Sequence, residues 1–210
     1  SPDVPTLVLH MGGAAALSLR LGQRLKAPVL AYDERPNQLP SGFHRIYCTD
    51  AQGSRSGAIP IGNLLVDSVA SLRNRRSERC PMETNPIVGL LPGSRILQLR
   101  NSLRRIGPIA ETVTSKVTTV RFVIARSPLV DDAMLRVALG SQTQVRLVYQ
   151  GKDTALITPQ GLVLPLLSRE EVLESADMLV STPGTNTGEA AALGIPHLVI
   201  APFDPTLSLL

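Results

Sequence analysis

The sequence predicts an α/β protein, a parallel sheet flanked by helices, and three observations carry that prediction. Short apolar, β-branched runs alternate with stretches at helical spacing almost from end to end. That is the pattern of strands buried on both faces beneath crossover helices. A composition of 43% hydrophobic and 18% charged residues over 210 positions supplies a real core and excludes disordered and fibrous classes. Two of the apolar runs also pass into glycine- and hydroxyl-bearing turns that open helices, where α/β folds meet ligands at the carboxyl ends of their strands.

Taken in order, residues 6–10 read as a buried strand, 14–25 as a helix and 28–32 as the next strand. After a Pro/Gly-rich loop, 45–49 and 58–61 are two short strand candidates, and 63–72 is helical. From 73 to 86 the chain is polar, with two prolines, two asparagines and four arginines, the composition of an interdomain linker. The expected division is therefore 1–72, a linker at 73–86, and 87–210.

Beyond the linker the alternation restarts. Strands are expected at 87–91, 121–125 and 145–149, with helices at 97–113 and 131–139. Residues 155–158 and 161–164 flank Pro159 and Gln160 as a small hairpin or two edge strands. Ser168 caps a helix running to about residue 176, and Glu171 three places on completes a capping box. A strand at 177–181, a helix at 185–193 closed by Gly194, and a last strand at 197–201 follow. Opening on Ser1 without a Met and stopping at Leu210 just past a strand, the chain reads as a piece of something longer.

The net charge of +4 and pI of about 9.5 suit an anionic partner. Only 3% of residues are aromatic and none is Trp, which leaves little for the stacking platforms of single-strand binding and argues against nucleic acid. The densest basic run, Arg73 to Arg79, reads as a solvated linker, with membrane docking as the alternative. Cys48 and Cys80 lie far apart, and His44 and His197 lack neighbours at ligand spacing, so neither a metal site nor a disulfide framework is expected. A reducing, cytoplasmic compartment follows. No apolar run reaches the ~20 residues that span a bilayer, and no leader pattern opens the chain.

Two segments carry chemistry. Leu90, Leu91, Pro92, Gly93, Ser94 and Arg95 run out of a buried strand into a turn and a helix. Gly93 permits close backbone approach, Ser94 offers a hydroxyl, and Arg95 a forked cation suited to phosphate oxygens. Alone, this also fits an ordinary βα loop. The second segment, Ser181 to Glu189, gathers Gly184, Thr185, Asn186 and Thr187 at a helix N-terminus, where unpaired N–H groups and the helix dipole attract anions. Glu189 lies a turn further in, within reach of sugar hydroxyls. The plainer reading is a Thr-capped helix whose acid favours the dipole. Walker A, GxGxxG and GxSxG patterns are absent.

Together these residues resemble the lipid-A-disaccharide synthase family. The resemblance rests on LLPGSR, on the Gly-Thr-x-Thr-x-Glu loop with Ala-Leu-Gly-Ile-Pro about ninety residues later, and on Ile61 to Asp67 before the second domain. It implies a glycosyltransferase-B fold, with residues 87–210 as a Rossmann-like UDP-sugar donor domain and 1–72 as the end of a preceding, acceptor-side Rossmann-like domain. In that setting Gly93, Ser94 and Arg95 would face the donor phosphates. Gly184, Thr185, Asn186 and Thr187 would cradle the pyrophosphate, and Glu189 would hold the ribose. No metal or other cofactor is implied. The reaction would pass an acylated glucosamine-type sugar from UDP to a lipid-linked sugar acceptor, at a cytoplasmic site peripheral to the inner membrane. Two departures stand out: Gln98 occupies a place the family fills with an acid, and 6–13 carries no carboxylate where the family bears its base. His10 could serve as that base, although a lone His at a strand end is more often structural. A UDP-sugar epimerase of the same fold and a UDP-sugar-binding module without catalysis are the alternatives.

Overall fold

Two sheets organise the chain, one of four strands and one of seven. The computed structural model describes residues 7–50, 57–77, 85–140, 144–151 and 153–200. Thr6, Cys80, Ala201 and positions 78–84 of the expected linker lie outside them. The chain divides between Asp67 and Ser68 into two units, each with its own sheet.

In the first unit, β1 (Val8–His10), β2 (Val29–Tyr32), β3 (Arg45–Cys48) and β4 (Ile59–Pro60) are parallel neighbours in chain order. Helix α1 (Ala15–Leu25) crosses from β1 to β2. Its buried Gly22 lets it lie directly on the sheet, because a Cβ there would strike the Val29 side chain. Val8, Ala27 and Val29 form the core beneath, joined by Leu19, Leu25 and Phe43. A short helix, α2 (Leu64–Ser68), ends the unit.

The second unit opens with α3 (Ala70–Ser77), which corrects part of the expected linker: 73–77 are helical and packed. Leu72, with Val69 just ahead of the helix, is buried in a core cluster. Arg75 pairs with Glu174 at 3.2 Å, and Arg76 Nη1 donates to the carbonyls of Leu173, Glu174 and Ala176. Polar composition reads as solvated when the partners of its charges lie about a hundred residues along the chain.

The seven strands are β5 (Ile87–Leu91), β6 (Arg121–Arg126), β7 (Arg146–Gln150), β8 (Asp153–Ile157), β9 (Val163–Ser168), β10 (Met178–Ser181) and β11 (His197–Val199). They stand in the order β11-β10-β5-β6-β9-β8-β7. Five of them, β11, β10, β5, β6 and β9, are parallel. The expected hairpin forms as β8 and β9, and its second arm is a member of the parallel sheet, while β8 and β7 extend the edge as antiparallel neighbours. Residues 158–162 are too few for the crossover a parallel pair needs, so β8 must run against β9.

Helices cover both faces. α4 (Ile96–Lys116) follows β5, α5 (Asp132–Leu139) follows β6, α6 (Arg169–Ser175) follows β9 and α7 (Thr185–Leu193) follows β10. Because side chains alternate along a strand, Leu90, Phe122 and Ile124 enter the cluster beneath α4 and α5. Leu91, Val123 and Ala125 enter the one beneath α6 and α7. This is the doubly wound, Rossmann-like arrangement, with β5 central among its five parallel strands. Among the described residues no helix is long and apolar enough to cross a membrane.

Candidate functional site

From β5 the chain winds one way through α4 to β6 and β9, and from β10 the other way to β11. The switch between β5 and β10 opens a crevice at the carboxyl ends of the strands. Ser181 is in register with Leu91 across that pair, so the turns that follow, 92–95 and 182–184, leave the sheet side by side. They line one cleft of about 180 Å³ together with Gln98, Ser127 and Arg169. The two sequence-predicted segments therefore meet, and Gly93, Ser94, Arg95, Gly184, Thr185 and Asn186 are all on its wall.

Its electrostatics favour an anion. Arg95 and Arg169 line it and no carboxylate does. The α4 and α7 N-termini, at Arg95 and Gly184, carry no side-chain cap. By contrast α5 is capped by Asp131, which accepts from Met134 N at 2.7 Å, and α6 by the complete Ser168/Glu171 capping box. Of the three helices that open on the cleft, α4 and α7 thus leave their first N–H groups unclaimed by cap side chains, where the dipole draws negative charge, while α6 brings Arg169 to the wall. Arg95 is exposed and makes no ion pair among the described residues.

Gln98 joins the two turns by donating its side-chain amide to Thr182 Oγ1. It also packs on Gly93, whose φ of +91° and contact with Gln98 leave no place for a Cβ. Gln98 is thus the clasp between the two loops.

Other predicted residues fall elsewhere. Thr187 lies in the first turn of α7 with its N–H bonded to Gly184 O, off the cleft wall. Glu189 is buried, also off the wall, and its carboxylate, expected to meet a ribose, is ion-paired through Oε1 with Arg169 Nη1. Glu189 Oε2 is buried without a partner. In the first unit His10 is 3% exposed, with Nδ1 3.0 Å from Ser18 Oγ and its ring 5.6 Å from that of Phe43. That is the setting of a packed strand-end side chain.

Arg169 is the functional candidate that the sequence reading missed. Its Nε and Nη2 donate to Glu170 Oε1 at 3.0 and 2.8 Å. Burial disfavours its charge, but the hydrogen bond to Glu170 and the charge of Glu189 outweigh it and hold the guanidinium above its ordinary pKa. The available signal was an arginine directly after the capping Ser168; the parallel pairing of β9, which brings that end to the cleft, was not legible.

Fold and cleft together define a Rossmann-like unit with an anion-suited pocket at its switch point. No family model matches the chain, and neither does any curated protein. Among solved structures, UDP-GlcNAc 2-epimerase from Methanocaldococcus jannaschii is similar, with a TM-score of 0.47 and 11% identity over 93% of this chain. The chain spans 61% of that protein's length.

Proposed function

We infer that the second unit binds the diphosphate of a UDP-linked sugar and is the donor half of a glycosyltransferase. The observation that carries this reading is the convergence of two uncapped helix N-termini, two glycine-bearing turns and Arg95 on one cleft without a carboxylate. A volume of about 180 Å³, below the roughly 300 Å³ at which whole-ligand pockets begin, suits the charged portion of such a ligand. Gly93, Ser94 and Arg95 would face one phosphate, and Gly184, Thr185 and Asn186 the other, with Thr187 behind them.

In the transfer the acceptor hydroxyl oxygen bonds to the anomeric carbon and gives its proton to solvent, the bond from that carbon to the diphosphate oxygen breaks, and UDP leaves. Main-chain donors and Arg95 would stabilise the charge that grows on the leaving diphosphate. The acylated glucosamine donor, the lipid-linked sugar acceptor and a site at the cytoplasmic face of the inner membrane rest on the family resemblance. A second reading, a UDP-sugar-binding module without turnover, is favoured by Gln98 in place of an acid and by the absence of any carboxylate from the cleft wall.

Calorimetric titration with UDP tests the site. The parent chain should bind, and Arg95→Ala should weaken binding about ten-fold or more, the effect of losing a hydrogen bond to a charged group worth about 1.5–3 kcal/mol. A parent that ignores UDP, or an Arg95→Ala variant that binds it equally, overturns the reading.

A further inference from the structure

Arg169 stands on the cleft wall where no sequence motif placed a cation. Three of its N–H groups are engaged by carboxylates, one by Glu189 and two by Glu170. Of the five that a guanidinium carries, one on each terminal nitrogen is left over. The side chain is 31% exposed, whereas that of Glu189 is 5% exposed, so the pair reaches from the interior to the cleft. Glu189 spends one buried oxygen on Arg169 and leaves the other unsatisfied.

We propose that Arg169 is a second cationic ligand for the diphosphate and that Glu189 is its positioning residue, aiming the guanidinium into the cleft instead of touching the nucleotide. This rests on the reading of the cleft as a diphosphate site. A free arginine would lose rotamer freedom on gripping phosphate; one already tethered to a buried carboxylate keeps its geometry before and after binding. The forked head suits two oxygens of one phosphate. With Arg95 at the N-terminus of α4 and Arg169 at that of α6, the cleft offers two cations from separate elements to a ligand carrying at least two negative charges.

The test compares UDP with UMP, because a cation that serves the second phosphate sets the margin between them. Calorimetry on the parent, Arg95→Ala, Arg169→Ala, Arg169→Lys and Glu189→Gln is accompanied by thermal melts. Arg169→Ala should cut the preference for UDP over UMP about ten-fold, Arg169→Lys should restore part of it, and Glu189→Gln should narrow it several-fold. Equal losses for both ligands in Glu189→Gln would mark a ribose contact and overturn the positioning role. Should Arg169→Ala not fold, the folded Arg169→Lys variant decides, since a point charge without the fork should keep a reduced margin; an unreduced one counts against the proposal. If Arg95→Ala weakens UDP while the Arg169 variants leave the margin intact, this inference fails and the diphosphate reading stands. If the parent binds neither nucleotide, both fall.

Discussion

His197 shows how a single side chain is tuned by its neighbours. Ser181 Oγ donates to Thr182 O at 2.9 Å, so it accepts from His197 Nε2 at 2.8 Å. Burial pushes the His197 pKa below its ordinary value. The folded chain then binds this proton less readily than the unfolded chain, and stability present above about pH 6.5 is lost as pH falls toward the lowered folded value. Urea unfolding between pH 7.5 and 5 should show a steeper decline for the parent than for His197→Gln; identical profiles would disprove the role. The sequence showed this histidine only as one without metal-ligand neighbours. Its partner is sixteen residues away, joined by the β10/β11 register, and pairing of that kind leaves no local pattern. The anion-suited residues Gly93 to Arg95 and Gly184 to Asn186 were legible because each set is contiguous. Arg169 and Glu189 were not legible as a pair, since their contact spans two helices.

At the scale of elements, α6 is secured at both ends by different means. Its capping box could be read directly, Ser168 and Glu171 being three residues apart. The other end depends on Arg76, which reaches from α3 to three carbonyls at 2.7, 3.1 and 2.9 Å. Arg76→Ala should cost about 1.5–3 kcal/mol, the range for hydrogen bonds to charged groups. Arg75→Ala breaks a pair whose side chains are 48% and 40% exposed and should cost under about 1 kcal/mol. Denaturant midpoints of the two variants check the contrast; equal losses would refute it. Helix and strand periods carried most element positions into view, whereas the helix expected at 63–72 is two, α2 and α3, and the part of α3 beyond Leu72 was hidden within a polar run, because only its capped partner shows that it is packed.

For the whole molecule, the two units differ in how much they bury. The first unit's core is built on Val8, Ala27 and Val29, while the second packs clusters on both sides of its central strands. Amides of β5 and β6 should therefore exchange more slowly than those of β2 in hydrogen-exchange mass spectrometry; equal protection would contradict this. Alternating runs disclosed the fold class, but strand order emerged only in space, and with it the adjacency of β5 and β10 that makes one cleft from two turns. The uncapped helix ends bordering that cleft also bear on its tolerance of substitution. Amide protons belong to every residue except proline, so a pocket built largely from them endures while the side chains around it drift. One side-chain substitution on the wall therefore removes only part of the pull on an anion.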